Sequence, residues 1–199
     1  MPSYYEFTIT LNDSPLKLSR KFLLSYQADF QDLHLAIQES CGWMNCHLYW
    51  FLSETEDTIT AGNPMSDDDS VHELLDDLCV EGQKKCSLPQ KILLEEYFSK
   101  KKNCTYIYDF GDNWEHHISC QIVQHHEVFF RKLLDGTGNF PPENCGGIPG
   151  FYRCLSLFSG DIKDSDLEIW IDDWSPDNFD FSATKKVFDI HNLGILTKI

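Results

Sequence analysis

Residues 106–121 read YIYDFGDNWEHHISCQ. They lie across two strand-like runs, CTYIYDF (104–110) and NWEHHISCQIV (113–123), joined at Gly111-Asp112. That pattern predicts a β-hairpin. In a strand, Trp114, His116, Ile118, Cys120 and Ile122 share one face, while Glu115 and His117 point the other way. His116 and Cys120 then stand about 13–14 Å apart, four residues at roughly 3.3 Å each, too far to share one ion. Cys120 therefore reads as core. At the tip, Asp109 is expected to accept backbone N–H bonds, and Gly111 to supply a positive φ. The same residues admit a chemical reading. Asp109, Asp112, Glu115 and His116 are the donor types of a hydrolytic metal centre, with magnesium or manganese preferred by such oxygen ligands.

Outward from this hairpin, residues 4–11 (YYEFTITL) and 16–24 (LKLSRKFLL) alternate, and Asn12–Pro15 between them is a turn. Asp29 caps a helix whose apolar stripe is Phe30, Leu33, Ala36 and Ile37; Cys41-Gly42 ends it. His34 lies beside that stripe, and His47–Leu52 is a further strand. Ser70 and Glu73 form a capping box for a helix over 71–79, and Ser87 with Gln90 opens another over 87–98. Residues 136–150, GTGNFPPENCGGIPG, cannot be a regular element and form a long loop. The helix FYRCLSLF (151–158) follows. Ser165 with Glu168, and Ser182, are expected to cap two further helices. Strands paired in hairpins with scattered helices predict α+β: an antiparallel sheet with helices packed on it, in one domain over 1–199, of which 161–199 is an acidic helical part.

The chain has 199 residues, 42% hydrophobic and 14% aromatic. That is enough for a sizeable core. No run is long and apolar enough for a membrane span. The N-terminus lacks the basic stretch and apolar core of a signal peptide, so a cytoplasmic location is expected. The 32 acids against 16 Lys+Arg give a net charge of −16. Such a surface repels phosphates, so direct nucleic-acid binding is not expected. Acidity has two explanations: solubility, or a partner with a basic face. Eight cysteines occur without a C-x-x-C pair, so no zinc ribbon is indicated. No G-x-S-x-G or phosphate-binding loop is present.

Four segments resemble the plasmid pRiA4b ORF-3-like family. They are Tyr106–Ile118 (Y-x-YDFGD-x-WEH-x-I), Pro141–Phe151 (PPENCGG-x-x-G-F), Leu33–Leu48, and Trp170–Asp180 with Pro176 inside it. The resemblance covers nearly the whole chain. It implies an α+β domain carried by bacteria, archaea and mobile elements, with no established enzymatic activity. Such proteins are often called passengers or resolvase-like, yet this chain has neither a basic surface nor a serine nucleophile motif. In many relatives the loop reads ACPPEDCGG with a further cysteine upstream, and three loop cysteines with the histidine of WEH would make a zinc set. Here Phe140 stands where a loop cysteine often sits, so only Cys145 and His116 are shared.

A structural zinc ion would therefore need other ligands. Cys145 precedes two glycines, and Cys154 lies in the following helix; with His116 they give three donors, and His117, His47 or an acid could complete four. Alternatively Cys154 is core beside Phe151, Leu155 and Phe158. The segment 161–180 carries eight acids and one lysine. It reads either as an amphipathic stretch with its aromatics inward, or as a recognition surface of Asp166, Glu168, Asp172, Asp173 and Trp174. From charge and family context, the expected function is a non-enzymatic acidic, zinc-binding protein of a phage or mobile element. Its partner would be a basic host nucleic-acid-handling protein, concretely an RNA-guided nuclease inhibited in the manner of an anti-CRISPR protein. The alternative is a metal-dependent hydrolase or nuclease using the DFGDNWEH side chains.

Overall fold

Tyr5, Phe7, Ile9 and Leu11 alternate along the first strand, and all four are buried. That face is the inner side of a seven-stranded antiparallel sheet. The structure, a computed structural model, describes residues 1–64 and 88–190. Its strands are β1 (Ser3–Leu11), β2 (Ser19–Ser25), β3 (Tyr49–Leu52), β4 (Thr58–Gly62), β5 (Asn103–Tyr108), β6 (Trp114–Gln124) and β7 (Arg131–Thr137). The order across the sheet is β4-β3-β5-β6-β1-β2-β7. The α+β class and the hairpin pairing expected from sequence are both present. The central hairpin pairs Tyr108 with Trp114 and Asn103 with Ser119, and β1 runs antiparallel to β6 from Ser3↔Gln124 to Leu11↔His116.

The helices are α1 (Phe30–Cys41), α2 (Leu94–Phe98), α3 (Gly147–Ser159), α4 (Ser165–Ile171) and α5 (Phe181–Ile190). Helix α1 forms as its sequence dictates. Asp29 Oδ1 accepts from Asp32 N, Asp32 Oδ2 accepts from Asp29 N, and Gly42 closes the C-terminus at φ 81°. A cap of this kind contributes about 1 kcal/mol. Phe30, Leu33, Ala36 and Ile37 are fully buried against the sheet. Phe98 of α2 packs on Phe7 and Phe30, and Phe188 of α5 on Phe22, with ring centres 5.1–5.9 Å apart. These three helices therefore share the inner side of the sheet. Its other side carries Glu6, Thr8, Glu115, His117 and Ser119, which are only partly covered or exposed.

Several local expectations are corrected. Strands β4 and β7 were not anticipated from sequence. The second strand starts at Ser19 rather than 16, and the third at Tyr49 rather than 47. The helix expected over 87–98 is broken. Pro89–Lys91 makes a single 3-10 turn, Ile92 and Leu93 are extended, and α2 begins only at Leu94. Leu93 bridges to Asp29, and Phe30 N donates to Ile92 O, so pairing with the start of α1 outweighs the local helical pattern. The caps of the last two helices are aspartates, not serines. Asp164 accepts from Leu167 N and Asp180 from Ala183 N. Ile122, on the same strand face as Trp114 and Ile118, is 52% exposed. The helix over 71–79 and its Ser70–Glu73 box, Cys79, Cys86 and Ser87 lie outside the described residues.

Candidate functional site

Three conspicuous segments meet at one corner: Trp43–Leu48 before β3, the DFGD tip between β5 and β6, and the loop Phe140–Gly146 before α3. Asp109 holds the tip. Its Oδ1 accepts from Gly111 N and Asp112 N, and Asp109 N donates to Leu48 O. The turn role expected of Asp109 is observed, but the left-handed residues are Asp109 (φ 56°) and Asn113 (φ 53°), not Gly111. Gly111 is small for another reason. A Cβ there would stand 3.2 Å from the Asp109 carboxylate.

The tip and the loop interlock. Gly146 N donates to Asp112 Oδ2. A side chain at Gly147 would strike Asp112 O at 2.4 Å, and one at Gly150 would strike Cys145 O at 1.7 Å. Two indoles anchor the loop, Trp43 Nε1 donating to Pro141 O and Trp174 Nε1 to Phe140 O. The Phe140 ring lies against His116 and under the Arg20 guanidinium. Helix α3 begins at Gly147, earlier than expected.

The segment before β3 is positioned from beneath. His34 and Gln38, both buried on α1, share the Tyr106 hydroxyl. His34 Nε2 also meets Asn45 Oδ1 at 2.6 Å, and Gln38 Oε1 accepts from Asn45 N. Burial lowers His34 to about 3, so it serves this network as a neutral ring. Asn45 is left-handed (φ 57°), as is Asn144 (φ 66°) in the loop. Among the described residues, four of the seven non-glycine residues with positive φ therefore flank this corner, a concentration typical of functional sites.

Between them lie Cys46, His47 and Glu143, each offering one ligand atom, all within 4.8 Å of one another. Glu143 Oε1 accepts from the Tyr108 hydroxyl and from the Cys46 thiol at 3.4 Å, and Oε2 accepts from Met44 N. His47 Nε2 is 2.7 Å from Asn144 Oδ1 and 3.5 Å from Asp109 Oδ2. Burial first, and then Glu143, hold the Cys46 thiol above its ordinary value. All three residues are partly exposed.

The ligands expected from sequence fare differently. Cys145 and Cys154 do meet. Their thiols share a hydrogen bond that, with burial, raises Cys145. His116 lies on the inner face of β6, fully buried, with Nδ1 donating to Trp114 O. Its Nε2 has no partner among the described residues, and burial lowers the ring to about 4. His117 is exposed on the opposite side of the sheet, so it cannot join His116 at one ion. Neither histidine belongs to a close group of ligand atoms among the described residues. The hydrolase quartet is likewise dispersed. Asp109 and Asp112 hold the turn and the loop, Glu115 accepts from Asn12 Nδ2, and His116 faces away from Glu115. Of the surface residues, Asp166, Glu168, Asp172 and Asp173 are exposed. Trp174 is turned inward against Phe151 and the loop carbonyl, and Trp170 (47%) and Ile169 (78%) are the exposed apolar side chains instead.

The sequence could not single out Cys46, His47 and Glu143, because the third lies 96 residues beyond the second; the one signal was His47 named as an optional donor. The family model for plasmid pRiA4b ORF-3-like proteins matches residues 3–184. An uncharacterized protein, y4hQ of Sinorhizobium fredii, is 27% identical over 157 residues, covering 78% of this chain and 73% of that one. The crystal structure of MM3350 from Methanosarcina mazei, a protein of unknown function, superposes with a TM-score of 0.71. It shares 24% identity and covers 90% of this chain and 95% of its own, which shows a common fold.

Proposed function

The chain belongs to the plasmid pRiA4b ORF-3-like family, and on that premise we propose that it acts by binding rather than catalysis. It is an acidic protein of a mobile element or phage that docks on a basic surface of a host nucleic-acid-handling protein. The concrete case is an RNA-guided nuclease inhibited in the anti-CRISPR manner. The observation that carries this reading is the surface of α4 and the turn after it. Asp166, Glu168, Asp172 and Asp173 are exposed, and among the described residues none of the four is in an ion pair. Ile169 and Trp170 stand exposed among them. Unpaired acids around exposed apolar anchors suit a basic partner, with charge steering the encounter and the indole supplying the buried contact. No helix among the described residues is long and apolar enough to cross a membrane.

The test uses purified RNA-guided nucleases and a cleavage assay. Inhibition should weaken at least tenfold in the Ile169→Ala/Trp170→Ala double variant, and the affinity should fall with added salt. Inhibition indifferent to both salt and the double variant would remove this surface from the mechanism. Absence of inhibition across the nucleases tried would remove the concrete case.

A further inference from the structure

We propose that Cys46, His47 and Glu143 bind one zinc-type divalent ion, leaving a fourth coordination position open. This inference does not depend on the partner-binding reading. Three side chains of three ligand classes converge from two segments far apart in the chain, with ligand atoms within 4.8 Å of one another. The Cys46 Sγ to Glu143 Oε1 distance of 3.4 Å already matches the edge of a tetrahedron, about 3.5 Å for Zn–S and Zn–O bonds of ordinary length. Hydrogen bonding sets the tautomer of the imidazole. Both neighbours of His47 Nε2, Asn144 Oδ1 and Asp109 Oδ2, are acceptors. That nitrogen therefore carries the hydrogen, and the lone pair falls on Nδ1, which has no hydrogen-bond partner among the described residues. A carboxylate behind a ligating histidine is a recurrent device for fixing its tautomer and basicity. Here Asn144 Oδ1 takes the hydrogen of Nε2, and Asp109, 3.5 Å away, adds its negative charge behind the ring as a positioning residue.

The donor set selects the ion. One thiolate, one imidazole and one carboxylate favour zinc-like metals over magnesium or calcium, which require oxygen throughout. Binding exchanges the Cys46 proton for the ion: the S–H bond breaks, the S–metal bond forms, and the proton leaves to solvent. The other close group, His125, His126 and Glu127, is a poorer site. It is exposed, and Glu127 Oε2 is already paired with Lys132 at 2.6 Å. The Cys145–Cys154 pair brings two thiols but no described third donor.

The test titrates cobalt(II), a spectroscopic stand-in for zinc, into the chelator-treated full-length protein. The expected result is one equivalent bound with a thiolate-to-cobalt charge-transfer band, displaced by zinc. Cys46→Ser should abolish the band, His47→Ala and Glu143→Gln should weaken binding more than tenfold, and Asp109→Asn should weaken it about tenfold to a hundredfold. The Cys145→Ser/Cys154→Ser variant should keep the band. A second readout needs no variant: zinc should protect Cys46 from alkylation in the wild-type chain, measured by peptide mass spectrometry. The proposal is overturned if the wild type binds no cobalt, if Cys46 alkylates equally fast with zinc, or if the band depends on Cys145 and Cys154 instead of Cys46.

Discussion

Gly150 has no room for a methyl group, because its Cβ position lies 1.7 Å from the carbonyl oxygen of Cys145. Gly150→Ala must push the loop off the DFGD tip, and we expect a loss of about 2–3 kcal/mol in urea denaturation. A change under 0.5 kcal/mol would show that the loop moves freely. Protons give a second prediction at this scale. His34 and His116 are held neutral by burial, at about 3 and about 4 against an ordinary 6.5. Their folded values are depressed, so the unfolded chain takes up their protons first. Stability is complete above pH 6.5 and falls from there toward pH 4, by up to about 1.4 kcal/mol per pH unit per histidine. Asp32, raised to about 6 chiefly by burial, works in the opposite direction and offsets part of this. His116→Phe should flatten the slope between pH 6.5 and 4; an unchanged slope would mean His116 is not the group protonated on unfolding. Much at this scale was legible in the sequence. Asp109 as a turn former and Cys120 as core follow from residue type and strand period. Gly111's real constraint was not legible, because it comes from a neighbouring carboxylate and not from its own φ. The Cys46–His47–Glu143 group depends on tertiary contact alone.

Among the elements, β7 is instructive. It is an edge strand, and edges invite pairing with other chains. Here α5 closes it with side chains: Asp189 Oδ1 accepts from Leu133 N, Lys185 Nζ donates to Leu133 O, and Arg131 Nε donates back to Phe188 O. Asp189→Ala should cost about 1 kcal/mol and raise hydrogen exchange at the Leu133 amide, with a greater tendency to self-associate. Unchanged exchange at Leu133 would count against this role for Asp189. Sequence reasoning found the long hairpin strands and α1, whose periodicity and caps agree with their packing. It missed β7 and β4 because RKLLDGT and TITAG are short and carry turn-forming or weakly patterned residues. It overextended α2 because the extended Ile92-Leu93 step answers to Asp29 and Phe30, not to local propensity.

At the scale of the molecule, charge dominates. A net charge of −16 means that like charges crowd together on folding. The few surface ion pairs lost to screening are worth little by comparison. We therefore expect the melting temperature to rise as sodium chloride goes from about 10 to 300 mM, across which the Debye length drops severalfold. A falling melting temperature would indicate that attractive pairs outweigh the repulsion. The fold class and the acidic C-terminal part were readable from hairpin spacing and composition. The sheet order was not, because nothing local specifies which hairpin lies beside β1.

That order also fixes a timetable. β1 lies between β2 and β6, and Ser3 pairs with Gln124. At ordinary translation speeds its second partner is synthesised on the order of ten seconds after it. Through that interval a nascent β1–β2 hairpin keeps one row of amides and carbonyls unclaimed, and for most of it Phe7 lacks its ring partner Phe98. The sheet is therefore completed from its middle late in the chain's birth. The half-chain thus presents an open strand edge of the kind that invites pairing with other chains.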